Sequence, residues 1–344
     1  MEIADRVSES EGLAAYVPEV QVRQGIRIFG SFLKGNVEAL ERGFLKFHPE
    51  AEFANNFMTS SEGAMAGLYT SLADLAPAGD DAKITDILPF YQVFRYLPLE
   101  ITVATGGYDQ RGTLWAVPIV VNADNPIEGL TLKQLDGIFG EQRTGGWDGI
   151  QYTSEYARGP EENIRTWGQL ALGGDWADKP IQTYGYCAPG FAYYFQRKLF
   201  HHSDKWNPNY RQYVEAKQTP DGAVGAAVAS ERMLEELSRD RYGIAWAALM
   251  HTKNYPAVKT VPLAVSDGDP FVPITPSTVR DRTYPLIRDA YFYANCEPGK
   301  ALKPNVREFL RYILSPEGQQ VIDDLGIFSP LPLEVADEQL AKIG

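Results

Sequence analysis

Two rhythms of apolar positions alternate along the chain. Short apolar runs of strand length give way to stretches where apolar residues recur every three or four positions. The first rhythm suits strands and the second amphipathic helices. The run 25–29 predicts a strand, and 36–47 a helix with Val37, Leu40, Phe44 and Phe47 on one face. His48-Pro49 ends that helix, since proline disfavours helix at the residue before it. Residues 52–57 read as a second strand. Thr59-Ser60-Ser61-Glu62-Gly63 opens a second helix, with Met65, Leu68 and Leu72 on its apolar face. A short strand and turn follow over 73–81, a helix over 84–96, and a strand over 99–104. The almost continuous apolar run 114–121 suits a strand covered on both faces.

Beyond it, Thr131 caps a short helix to Phe139, and 140–162 reads as a long Gly-rich polar loop. Residues 167–178 are irregular. A strand over 180–186 turns at Cys187-Ala188-Pro189-Gly190 into a helix over 191–200. A helix over 222–237 and strands over 242–246, 258–265 and 291–294 come next. Two amphipathic helices, 305–314 and 316–325, complete the pattern, with Ser315 as N-cap and Pro316 at the first helical position. Strands alternating with helices argue for parallel-rich α/β sheets. Residues 1–24 show no sustained apolar period and read as a polar arm.

Three of these strand ends run into a turn bearing small or hydroxyl residues and then a helix. The first is Gly30-Ser31-Phe32-Leu33-Lys34-Gly35, where a hydroxyl stands between strand and helix. The first N–H groups of a helix lack internal partners and carry partial positive charge, so such a turn suits an anion. Ser60 or Ser61 offers a second hydroxyl-rich helix start. An ordinary cap explains it equally well.

The 344 residues suffice for two domains with substantial cores. The net charge of −13 excludes a typical nucleic-acid binder, which carries a basic surface. It does not exclude an anion ligand, because neutral N–H and hydroxyl dipoles bind oxyanions locally. Cys187 and Cys296 are the two cysteines, too few for a disulfide framework, and are expected as free thiols. No apolar stretch reaches membrane-spanning length, and the acidic start lacks the apolar core of an export signal. The chain is therefore cytosolic, or its export segment was removed.

Motifs for phosphate-binding P-loops, hydrolase elbows, zinc proteases and dinucleotide binding are missing from the sequence. Adjacent His201 and His202 diverge on a helix and read as solvated surface residues. Asp80-Asp81 and Asp323-Asp324 read as solvated charges or caps. Catalysis finds little support, and no cofactor or metal is expected.

Three stretches carry a family resemblance. They are WAVPIVVNADNPIEGLTLKQLDGIF (115–139), DRYGIAWAAL (240–249) and YPLIRDAYFYANCEPGKALKPNVREFLRYILSPEGQQVIDDLGIFSPLP (284–332). The chain resembles the phosphate-binding subunit of bacterial ABC uptake transporters, a type II periplasmic binding protein, from about residue 26 to 332. The resemblance implies two α/β lobes joined by two crossing segments around a ligand cleft. Lobe 1 would comprise 25–112 and 248–344, lobe 2 113–247, with 1–24 an N-terminal arm. It implies a periplasmic or extracellular monomer that captures phosphate or a related oxyanion for a membrane ABC permease without chemical turnover.

Carried over position by position, the resemblance assigns Ser31 and Phe32 to a first anion-binding turn, Ser60, Ser61 and Gly63 to a second, and Asp80 to an acidic position. In lobe 2 the family pattern is Arg, then Asp-x-Ser-Gly-Thr. This chain has Gly185, Tyr186, Cys187, Ala188, Pro189, Gly190 and Phe191 there, so Gly190 alone survives. Pro189 removes an N–H donor, Phe191 replaces a hydroxyl, and Glu62 adds a carboxylate near a dianion. Arg111 is a candidate replacement for the missing positive charge, and Tyr184 and Tyr186 candidate phenol donors or an apolar wall. These departures keep open an alternative: a sensor or scaffold of the same fold that binds an organic ligand or a partner protein.

Overall fold

The computed structural model describes residues 14–30, 34–57, 63–79, 81–106, 116–187, 191–214, 226–247 and 249–344. In chain order the elements begin with β1 (Gly25–Gly30), α1 (Lys34–Phe44), β2 (Glu52–Phe57), α2 (Ala64–Tyr69), β3 (Leu75–Ala78), α3 (Ile84–Phe94) and β4 (Leu99–Gly106). Then come β5 (Ile119–Asn122), β6 (Leu130–Thr131), α4 (Leu132–Phe139), β7 (Gly146–Asp148), β8 (Gln151–Thr153), β9 (Gln182–Tyr186), α5 (Phe191–Phe200), β10 (Arg211–Tyr213), α6 (Ala226–Arg239) and β11 (Gly243–Trp246). The remainder are α7 (Leu249–Thr252), β12 (Val258–Val261), β13 (Leu263–Ala264), α8 (Pro276–Arg280), β14 (Ala290–Ala294), α9 (Pro304–Leu314), α10 (Pro316–Leu325), β15 (Phe328–Ser329) and α11 (Leu333–Ile343).

The chain forms two compact units. Unit 1 comprises Met1–Gly107 and Arg288–Gly344, and unit 2 Tyr108–Ile287. Among the described residues, unit 1 has a sheet ordered β15-β4-β14-β3-β1-β2, with β2, β1 and β3 parallel and β14 antiparallel to β3. Unit 2 has a sheet ordered β10-β9-β11-β5-β12, with β10, β9 and β11 parallel. The second crossing lies at 287/288, which corrects the expected boundary at 248. The reason is strand pairing: β12 runs antiparallel to β5, with Thr260 opposite Val120, and β13 pairs with β6. An apolar strand does not itself declare which sheet it joins.

Local chemistry sets the helix ends. Thr131 Oγ1 accepts from the Gln134 N–H at 3.2 Å while Gln134 Oε1 accepts from the Thr131 N–H at 2.9 Å, a capping box for α4. Ser315 closes α9 and caps α10, with Pro316 following. α2 ends at Tyr69, and Ser71 adopts a left-handed φ of 60°. Leu72 therefore falls beyond the helix and is exposed, contrary to its expected place on the buried face. The 114–121 run gives a strand over Ile119–Asn122, while Ala116 bridges Ile287.

The expected loop 140–162 is instead a tethered excursion containing the β7–β8 hairpin and short 3₁₀ turns. Arg143 grips Asp136 of α4 bidentately at 2.7 and 2.6 Å, and its backbone pairs with Arg158. His201 and His202 are half-buried rather than solvated. His201 stacks on Tyr156 with ring centroids 3.7 Å apart.

The end of the N-terminal arm also departs from expectation, since Tyr16 and Val22 are buried. The Val22 N–H donates to His48 Nδ1 at 3.2 Å, which places the His48 proton on Nε2, 2.7 Å from the Tyr16 hydroxyl. Tyr16 in turn donates to Glu308 Oε2 at 2.7 Å, and Arg311 Nη1 donates to Glu308 Oε1 at 2.7 Å. This buried chain ties the arm to α9.

Candidate functional site

In an open α/β sheet, ligands bind beyond the carboxyl ends of the strands, where the strand order reverses. Each unit has one such point. In unit 1 it lies at β1 and β3, and in unit 2 at β9, between β10 and β11. The turns expected to bind the anion follow these strand ends directly.

In unit 1, β1 ends at Gly30, where glycine is required because β3 comes close: a Cβ there would lie 2.4 Å from the Pro77 ring. The next residues, Ser31 and Phe32, lie outside the described residues, as do Ser60, Ser61, Asp80 and Arg111. Gly63 is described. It opens α2 without a side-chain cap, leaving the first-turn N–H groups of that helix uncapped by it. Beyond β3, Asp81 and Lys83 are buried rather than solvated, so the reading of Asp81 as a surface charge is corrected. The Ala82 N–H donates to the Tyr293 hydroxyl at 2.7 Å, and Tyr293 donates to Glu100 at 2.7 Å. A void of about 10 Å³ between Met65, Ala78, Asp81, Lys83 and Tyr293 has room for one water. Sequence reasoning missed Arg288. The residue is 7% exposed, and its Nη2 donates to the Gly79 carbonyl at 3.1 Å. The available signal was a charged pair, Arg288-Asp289, set immediately before an apolar strand.

A larger hollow of about 90 Å³ lies at the opposite end of this sheet, beside Arg27, Ser71, Asp74, Asn295 and Lys303. Asp74 accepts from the Arg27 backbone and guanidinium and from Lys303 Nζ at 2.7 Å. Although burial opposes its ionisation, these hydrogen bonds hold its carboxyl well below the usual range. The cluster is a surface ion network around the buried Asp74 carboxylate.

Unit 2 presents a different edge. Tyr186 is fully buried; its hydroxyl pairs with Ser230 and its ring packs edge-on to Trp246 at 5.0 Å. Its hydroxyl is engaged within the core, which counts against the expected phenol donor and leaves the other expectation, an apolar wall. Tyr184 donates to Asp240 at 2.7 Å, and burial first, then that carboxylate, pushes its phenol up. Tyr210 donates to the Tyr186 carbonyl at 2.8 Å and accepts from Trp246 Nε1 at 3.0 Å. Trp206 stacks on Tyr210 at 4.4 Å, and Phe195 on Trp246 at 4.8 Å. A Cβ on Gly185 would lie 2.1 Å from Trp246 Nε1 and 2.3 Å from the Tyr210 hydroxyl. The position where the resemblance expects arginine therefore admits no side chain at all. Half-buried Cys187 donates its N–H to the Tyr213 carbonyl at 3.1 Å. Cys187 and Cys296 are both free thiols. Ala188 and Gly190 lie outside the described residues.

Two α/β units, each with a strand-order reversal, joined by a chain that passes between them twice, define the class of type II periplasmic binding proteins. Three solved or curated relatives bear on the assignment. The chain is 31% identical over 285 residues to the phosphate-binding protein PstS of Pseudomonas aeruginosa, covering 83% of this chain and 76% of that one. The PstS structure from Borrelia burgdorferi matches with a TM-score of 0.54 at 15% identity, over 90% of this chain and 99% of that one. An ABC-type phosphate transport receptor from Vibrio cholerae matches with a TM-score of 0.51 at 17% identity, over 89% and 100%. A PBP superfamily domain covers residues 115–317, and the chain belongs to that superfamily, within its family of PstS-like phosphate-binding proteins.

Proposed function

We propose that this protein is an extracytoplasmic solute-binding protein that captures phosphate or a related small oxyanion for uptake by a membrane ABC permease. It is a binding protein and not an enzyme. The observation that carries this reading is the 31% identity to a phosphate-binding protein across most of both chains. The unit 1 edge is consistent with it, with buried Arg288 donating to the Gly79 carbonyl beyond β3. Ser31, Phe32, Ser60, Ser61, Gly63 and Asp80 supply the hydroxyls, N–H groups and acceptor for the oxyanion, with Cys187, Ala188 and Gly190 as contributors from unit 2. The protein acts as a monomer outside the cytoplasm. Among the described residues no helix is long and apolar enough to cross a membrane.

Isothermal calorimetry with phosphate, sulfate and molybdate near neutral pH tests this. Heat from phosphate, saturating at one site, is expected. If none of the three gives heat or a thermal shift, the oxyanion reading falls. A second reading, an organic ligand or partner protein in place of an oxyanion, is favoured by the aromatic edge around Gly185. Saturable phosphate binding excludes it.

A further inference from the structure

We propose that the end of the N-terminal arm is held by a proton-sensitive latch: a proton taken up at His48 Nδ1 frees the arm from the body of unit 1. His48 is fully buried just beyond α1, and both its ring nitrogens face the arm. The Val22 N–H can only donate, so Nδ1, 3.2 Å away, has to accept. The ring proton then sits on Nε2 and reaches the Tyr16 hydroxyl, which passes its own proton toward Glu308 Oε2. This arrangement holds only for a neutral imidazole. A second proton on Nδ1 turns the acceptor into a donor and sets two N–H groups against each other. Val22 is itself buried, so its N–H is left without water as well as without an acceptor.

The surroundings give that second proton little support. From α9, Glu308 Oε2 lies 4.0 Å from Nε2. That carboxylate already accepts from Tyr16, from the Glu19 N–H at 3.3 Å and from Arg311 at 2.7 Å. Arg307 also faces Glu308, and both arginines pair with the Glu19 carboxylate. α10 presents Glu317, engaged by the Tyr16 N–H at 2.9 Å. Beside Val22, the exposed Arg23 pairs with Glu50 at 3.4 Å. α1 offers an apolar face, with the Phe44 ring stacked on His48 at 4.2 Å. Burial lowers the His48 pKa from its ordinary 6.5, and the attraction of Glu308 does not reverse this. Once the arm leaves, the ring meets water and takes a proton in its ordinary range. Acid therefore favours the released arm, from about pH 6.5 downward.

The test follows the full chain from about pH 7.5 to about pH 4.5 by its imidazole nitrogen resonances and by hydrogen exchange of residues 14–24, each rate divided by that of an unstructured peptide at the same pH. At the upper end His48 is expected to carry its proton on Nε2. Protection of the Val22 N–H should then fall ~tenfold per pH unit as acid is added, while β1 stays protected. His48→Asn keeps an amide oxygen as acceptor without a titrating proton, and should hold the arm across the range. Loss of protection at the same pH in His48→Asn and wild type overturns the latch, because another group then opens the arm. An arm that stays protected while His48 becomes charged overturns it too, as does a His48 that stays neutral until β1 also exchanges. Should His48→Asn fail to melt cooperatively, the wild type decides. One shared midpoint for ring protonation and Val22 release supports the inference, and two separate midpoints overturn it.

Discussion

The carboxyl edges of the two sheets share a topology and differ in chemistry. Unit 1 ends its strands in glycine and charge: Gly30, Gly79, Asp81, Lys83 and Arg288. Unit 2 ends its strands in a packed aromatic block of Tyr186, Trp206, Tyr210 and Trp246 around Gly185. Strand order fixes where a ligand can sit, and side chains decide which half recognises charge. On the proposed function, recognition of charge would fall to unit 1, with unit 2 contributing shape.

The contrast breaks most sharply at Gly185. Gly185→Ala should cost roughly 3–4 kcal/mol, since its methyl overlaps two ring groups already pinned by hydrogen bonds. Chemical denaturation measures this, and a loss below 1 kcal/mol would mean the block yields easily. Tyr210→Phe comes next, at about 2 kcal/mol, because it orphans both the Tyr186 carbonyl and the Trp246 N–H. Phosphate affinity should hold in the Tyr210 variant under conditions where it is folded, if unit 2 contributes shape alone. In unit 1 the effect reverses. Ser31→Ala should weaken phosphate binding by roughly 1–3 kcal/mol with little change in melting temperature. Unchanged affinity would reduce Ser31 to a cap.

The smallest effect concerns His202 in unit 2. Burial first, then Arg197 and His201, depress its pKa from 6.5 to about 4. The unfolded chain thus takes up a proton that the folded chain refuses between about pH 6.5 and 4. Stability falls as pH drops through that window and levels off below it, by ~1–2 kcal/mol after discounting for partial exposure. His202→Asn should flatten that part of the pH profile, and an unchanged slope would assign it to other groups.

Much of the fold was legible because strands and helices announce themselves by period. The β1, β9 and β14 runs and the Ser315-Pro316 junction need only their neighbours in sequence. The features that set the site are long-range. Gly185 reads as a missing arginine until Trp246 and Tyr210, far along the chain, are seen to occupy its space. Arg288 reads as one charge before a strand until the antiparallel pairing of β14 with β3 carries it to Gly79. Tyr16 reads as part of a polar arm until His48 and Glu308 claim its hydroxyl. The 248 boundary failed for the same reason: pairing partners, not strand propensity, decide membership of a sheet.

The interrupted course of unit 1 has a consequence for how the protein is made. β14 is an inner strand of the unit 1 sheet, and it leaves the ribosome only after all of Tyr108–Ile287. At ordinary synthesis rates that delay is on the order of 10–40 s. Throughout it, β3 and β4 present unsatisfied edges while unit 2 is already free to close. The nascent chain thus carries a half-finished sheet that a chaperone or an export machine can hold open, and folding of unit 1 is timed by about the last sixth of the message.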